Sequence, residues 1–191
     1  MGIGQPFQDI VSVAYQCDKL HTVATADLPN GKYDFFAKLV PAQEPHQPLP
    51  SDESWASKLQ EEIRTKFGVI GRKETRKANV LVLKPTESGT HGLKVSHSMP
   101  EGQAFKNPPG NFECFEQPVS TLISFLQQYF KIPIIDQTEL LEKYDFALKW
   151  DEQDRQHPNL DGLKQALHSQ LGLDLVPTNM PIEMLVIEKV K

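Results

Sequence analysis

Three blocks of sequence recur in the same order along this 191-residue chain, and any fold it adopts must accommodate that recurrence. The first block reads as a helix. Gln5-Pro6-Phe7 and Gln117-Pro118-Val119 each open an apolar-periodic run, with proline in the first turn, where its missing N–H costs nothing. Phe7, Ile10, Val11 and Ala14 fall on one helical face, as do Val119, Leu122, Ile123, Leu126 and Phe130 in the second copy. The second block is a strand: Gly31–Leu39 matches Glu142–Trp150 at five of nine positions, including Lys-Tyr-Asp-Phe in both. A shorter strand is expected before each, over His21–Ala26 and Ile132–Asp136. The third block is a helix followed by a hairpin. Trp55, Leu59, Ile63 and Phe67 lead to Gly68, and Leu163, Leu167 and Leu171 lead to Gly172, each glycine suiting a left-handed C-terminal cap. Asn159 is the expected N-cap of the second helix, and Ser51 or Asp52 that of the first. The hairpins are predicted as Val69–Lys73 with Val80–Lys84, and Leu173–Val176 with Ile182–Val190.

Each half therefore reads helix–strand–strand–helix–strand–strand. The expected fold class is α+β: two similar halves, helices packed on small, mostly antiparallel sheets. The halves are 1–90 and 112–191, joined by a Gly-, Ser- and Pro-rich loop over 91–111, with Phe112–Phe115 a candidate strand entering the second. The Pro-rich stretch 40–53 is expected as an extended loop inside the first half. Halves of this size bury modest cores, so the two are expected to pack together.

Composition narrows function mainly by exclusion. With 25 acidic and 20 basic residues the chain carries a net charge of −5, unlike the concentrated positive charge of a nucleic-acid binder. No apolar run approaches the ~20 residues of a membrane-spanning helix. The opening Met1-Gly2-Ile3-Gly4 has neither the charged region nor the apolar run of a signal peptide. Cys17 and Cys114 lack CxxC spacing; both a disulfide and two free thiols remain open. The six histidines show no tight ligand spacing. His91 and His97, six apart, are the nearest to a metal pair, but read better as a solvated loop. There is no nucleophile elbow and no phosphate-binding glycine loop. Acidic pairs at Glu61-Glu62 and Asp151-Glu152, with Asp154 nearby, read as solvated surface. No catalytic residue, metal ligand or cofactor is assigned.

Two groups remain as candidate binding residues. In the duplicated strand, Tyr33 and Tyr144 share a face with Phe35 and Phe146, while Asp34 and Asp145 point the other way. The aromatics suit a core, and the aspartates either a pair with a lysine or a turn cap; the functional alternative is a two-fold related polar site where the halves meet. Arg64–Lys77 carries six basic residues against Glu74 alone. There Arg72 and Arg76 share a strand face, fit either to meet an acidic or phosphate-rich partner or to blunt an edge strand.

Tyr144-Asp145-Phe146 with Leu148-Lys149-Trp150, then Leu167-His168-Ser169-Gln170-Leu171-Gly172-Leu173, Val176-Pro177 and Pro181–Ile187, closely resemble the C-terminal signature of the acidobacterial soil-associated protein family, a bacterial domain of unknown function. Pro133–Thr138, Ile10–Tyr15, Tyr33-Asp34 and Phe67–Arg76 also fit its pattern. The chain departs from it in the Pro-rich 41–50 loop and a shortened loop around 151–159. Members typically carry export signals, so the resemblance implies a periplasmic or secreted protein of the cell envelope. Each half is also weakly similar to the short N-terminal domain of secretins and TonB-dependent receptors, small αβ modules that bind partners, a likeness of fold alone. The function these readings imply is a non-catalytic binding or protein-interaction module, with another envelope protein or an envelope polymer as partner. The alternatives are a hydrolase-like enzyme with its site where the halves meet, or a structural spacer.

Overall fold

A computed structural model describes residues 2–35, 52–96, 108–152 and 158–190. The fold is mixed α+β, with four α-helices among the described residues. In chain order the elements are β1 (Gly2–Pro6), α1 (Phe7–Ala14), β2 (Thr22–Ala24), β3 (Lys32–Phe35), α2 (Asp52–Phe67), β4 (Val69–Pro85), β5 (Lys94–Val95), β6 (Asn111–Gln117), α3 (Val119–Phe130), β7 (Ile134–Asp136), β8 (Tyr144–Lys149), α4 (Leu160–Ala166), continued by a π-helical turn to Leu171, and β9 (Leu173–Lys189). The chain forms two compact units, Met1–Lys77 with Pro181–Lys191, and Ala78–Met180. They cut across the sequence halves 1–90 and 112–191, because β4 and β9 each begin in one unit and end in the other.

In the first unit, β1 pairs antiparallel with β3, and β2 pairs parallel with the last part of β9 at Leu185–Ile187. The core gathers Phe7, Ile10, Val11 and Ala14 of α1 with Ile63, Val69, Leu185 and Ile187. This is the α1 face that the 3.6-residue period selects. In α2 the four-residue apolar repeat is less deeply used: Ile63 is buried while Trp55, Leu59 and Phe67 are half-buried. Gly68 closes α2 at φ +62, as its position after the apolar run requires.

In the second unit, β8 lies between β5 and β6, antiparallel to both, and β7 pairs parallel with β4 at Leu81–Leu83. Val119, Leu122, Leu126 and Phe130 of α3 and Leu163, Leu167 and Leu171 of α4 and its extension are all buried against Phe146 and Leu148. Asn159 caps α4, its side-chain oxygen accepting the Gly162 N–H at 2.9 Å. Gly172 ends the π turn at φ +67. Pro6 and Pro118 sit one residue earlier than the first-turn position, in extended conformation at the N-caps.

The expected hairpins do not form. Val69–Pro85 is one strand of 17 residues, and so is Leu173–Lys189. In β4 no Gly or Pro turn interrupts Glu74–Asn79, and Glu74 pairs with Arg72 and Arg76 along the same strand, so the strand continues. In β9 the prolines 177 and 181 lie in the stretch between Val176 and Ile182 where the turn was expected. The Val190 N–H donates to the Gly68 carbonyl, and the Gly172 carbonyl accepts from Thr86, so even-numbered residues of β9 turn their backbone groups toward β4. Both prolines are odd-numbered. Their missing N–H groups face the other edge, where β2 reaches only Leu185–Ile187.

Candidate functional site

The duplicated aspartates have closely matched local roles. The Gly4 N–H donates to Asp34 Oδ1 at 2.6 Å, and the Glu116 N–H to Asp145 Oδ1 at 3.0 Å. Gly4 and Glu116 are both left-handed, at φ 61 and 52, and each lies where its strand pairing shifts register. The next residue, Gln5 or Gln117, sends its side-chain amide back to the carbonyl two residues earlier, at 3.0 and 3.2 Å. Gln5 pairs with Tyr33 and Gln117 with Tyr144. A β-bulge thus precedes each first helix, and an aspartate on the neighbouring strand takes up the N–H that the bulge turns out of the ladder. Tyr144 and Phe146 are buried in the core, and Tyr33 packs edge-on against Phe7 and Phe67 with centroids 6.0 and 5.3 Å away. The aromatics fill the core, and of the two structural roles open to the aspartates, a lysine pair or a turn cap, they take the second.

Arg72 and Arg76 lie on one side of β4 and share Glu74. Arg72 reaches its carboxylate at 2.6 Å and Arg76 at 2.8 Å, and Arg72 also approaches Glu188 at 3.3 Å. Lys73, turned to the other side, pairs with Glu183 at 2.9 Å. Hydrogen bonding from Arg76, reinforced by the charge of Arg72, holds the Glu74 carboxyl below its ordinary range, while hydrogen bonding to Glu183 raises Lys73. The run of positive charge is thereby broken into ion pairs.

The remaining chemistry-bearing residues are dispersed. His91 sits with its ring nitrogens 3.3 Å from the carbonyls of Gly89 and Ser169, and His168 Nδ1 lies 2.7 Å from Asp174. His46, His97, His157 and Asp154 lie outside the described residues. Among the described residues no three His, Cys, Asp or Glu side chains gather to hold a metal. Cys17 and Cys114 are free thiols. Burial pushes Cys114 up to about 12, leaving it protonated and unreactive at neutral pH.

A feature not read from the sequence is a cleft of about 590 Å³ within the second unit, a volume suited to a small ligand. Its wall is aromatic: Phe125 and Tyr129, one turn apart on α3, and Trp150 just beyond β8. Phe125 stacks on Phe112 at 4.1 Å, and the Tyr129 and Trp150 rings stand at 88° with centroids 5.7 Å apart. The indole N–H lies 2.6 Å from Glu152 Oε2 and 3.2 Å from the Tyr129 hydroxyl, which fixes the ring orientation. Pro108, Pro109 and Pro158 add stiff apolar rim. Lys131 and Glu152 are the charged lining residues described, one of each sign. Neither Tyr33 nor Tyr144 lines this cleft. The sequence signal was available in α3, where Phe125 and Tyr129 extend the apolar surface beyond the stripe that the core needs.

Fold and site together define a mixed α+β protein with an aromatic-walled cleft in one of its two compact units. No helix among the described residues is long and apolar enough to cross a membrane. The chain belongs to the DUF3738 family of proteins of unknown function, whose model matches residues 8–190. No curated protein matches the chain, and no solved structure does.

Proposed function

We propose that this chain is a non-catalytic binding module of the bacterial cell envelope, built by duplication, whose ligand seat is the aromatic cleft of the second unit. The observation that carries the reading is the wall of Phe125, Tyr129 and Trp150, held at fixed angles and edged by polar groups. Rings fixed this way offer flat apolar faces at little entropic cost. The described lining has no net charge, counting Lys131 against Glu152, which favours a neutral ligand with hydroxyl groups at its edge. A sugar unit of an envelope polymer has that chemistry: one face of C–H bonds to lie on the rings, and a rim of hydroxyls for Gln128 and Lys131. Location in the periplasm or outside the cell rests on the resemblance to an exported family. Duplication is supported by the paired bulges at Gly4 and Glu116, each with its aspartate and its glutamine.

The test uses the full chain with Trp55 changed to Phe, so that Trp150 alone reports. Titration with a soluble N-acetylglucosamine trimer should change its emission saturably, and Tyr129→Ala should weaken binding about tenfold, the loss expected for one good stacking contact. A flat titration, or equal affinity in Tyr129→Ala, would refute the assignment of this cleft.

A further inference from the structure

We propose that the outer edge of β3 accepts an extended strand from a partner polypeptide, antiparallel and with a basic residue opposite Asp34. This goes beyond the cleft and concerns the other unit. It starts from β8, which carries β6 on one edge and β5 on the other. Lys94 of β5 stands opposite Asp145 and Val95 opposite Tyr144, and the Ser96 N–H donates to the Lys143 carbonyl at 2.9 Å. Backbone groups alternate in an antiparallel ladder, so residues 143 and 145 direct theirs toward β5.

The matching strand in the first unit is β3. Tyr33 pairs with Gln5 as Tyr144 pairs with Gln117, and Asp34 holds Gly4 as Asp145 holds Glu116. Lys32 and Asp34 therefore turn their backbone groups to the edge away from β1, as Lys143 and Asp145 turn theirs to β5. The Pro6–Lys32 pair agrees, since Pro6 has no N–H to offer there. Among the described residues no strand pairs with that edge: β1 and β3 form a two-stranded sheet. An open edge presents unpaired donors and acceptors in register, the template used in recognition by strand addition. The occupied edge of β8 specifies the occupant. It is a short extended segment whose lysine lies across from the aspartate, and exposed Asp34 offers the same charge.

The experiment uses isotope-labelled full chain and a synthetic peptide with the sequence of Thr90–Ser96, the natural partner of β8. Saturable amide shifts at Lys32–Phe35 and slowed hydrogen exchange at the Lys32 and Asp34 amides are expected. Replacing the peptide's lysine by glutamate should weaken binding about threefold or more, the scale of one cross-strand charge pair reversed. Lys32→Pro removes an outward N–H without touching a bond to β1, and should abolish binding while the Gly4 amide resonance, the marker of an intact bulge, stays in place. Three results would overturn the proposal: Lys32 and Asp34 amides already protected in the free chain, shifts confined to β8 as the peptide displaces β5, or no saturation at millimolar peptide.

Discussion

Removing the Asp145 carboxylate should unfasten the second bulge at a measurable cost. Asp145 Oδ1 accepts the Glu116 N–H at 3.0 Å, and Glu116 is held at φ 52, where a side chain-bearing residue is strained by about 1 kcal/mol. A hydrogen bond to a charged group contributes about 1.5–3 kcal/mol when well shielded. Asp145 is half-buried, so the lower end applies, and Asp145→Ala should cost about 1.5 kcal/mol. Asp145→Asn keeps an acceptor oxygen and loses only the charge assistance, so about half that cost is expected. With a urea slope of about 2 kcal/mol per molar, the alanine variant shifts the midpoint by about 0.7 M and the asparagine variant by about half as much. Each compact unit contains one tryptophan, Trp55 in the first and Trp150 in the second, so urea titrations in single-tryptophan backgrounds resolve which unit responds. The shift should register at Trp150. Asp34→Ala should act the same way through Trp55, but more weakly, because Asp34 is exposed and Gly4 takes its left-handed conformation without strain. The reasoning fails if asparagine costs as much as alanine at position 145, since then the oxygen and its N–H partner are not what matters.

Glu116→Gly removes the left-handed strain and gives up an exposed ion pair to Lys143 at 3.4 Å, so a net gain of up to about 0.5 kcal/mol is expected in thermal unfolding. Gly172→Ala should destabilise by more than about 2 kcal/mol, because the position is left-handed at φ +67 and an added Cβ would collide with the Gly89 carbonyl; a denaturant midpoint within error of the parent would contradict this. Glu74 titrates below its unfolded value in the folded chain, chiefly through Arg76, so its contribution to stability is present above the ordinary carboxylate range and is lost as pH falls through the lowered value. Glu74→Gln should flatten that part of the acid-stability profile, and an unaltered profile would show that Arg72 and Arg76 do not act on it.

Local signals in the sequence located most elements, and non-local ones are where it was silent. The α1 and α3 openings, the buried faces of both helices, the Asn159 cap and the Gly68 and Gly172 stops each depend on residues within a few positions of one another. The hairpin expectation failed because Pro177 and Pro181 break a strand only if their edge needs an N–H, and that is decided by which neighbour lies there. Arg72 and Lys73 looked like unpaired charge because only Glu74 is near them in sequence; Glu183 and Glu188 arrive from the far end of the chain. β1 was missed because Gly2-Ile3-Gly4 has no strand pattern, and its pairing with β3 supplies what propensity does not. Of the cleft, sequence could signal the α3 wall of Phe125 and Tyr129 but not its meeting with segments around 110, 150 and 158.

The duplicated Lys-Tyr-Asp-Phe shows what a repeated motif can and cannot say. Repetition drew attention to these residues as a possible paired site, yet the atoms that match are those that hold each bulge closed, inside each unit by itself. Within that arrangement the copies differ in the bulge residue itself, Gly4 against Glu116, and two further differences lie outside it. Just beyond the strand of the second copy stands Trp150, which walls a cleft, where the aligned residue of the first is Leu39. The outer edge of β8 is covered by β5, while β3 has no such neighbour among the described residues. On the proposed duplication, each copy keeps what makes it fold and is free to change what it presents to solvent. The residues to mutate in testing the proposed binding sites are therefore Trp150 and the outer edge of β3, whereas the shared aspartates Asp34 and Asp145 are the ones to mutate for stability.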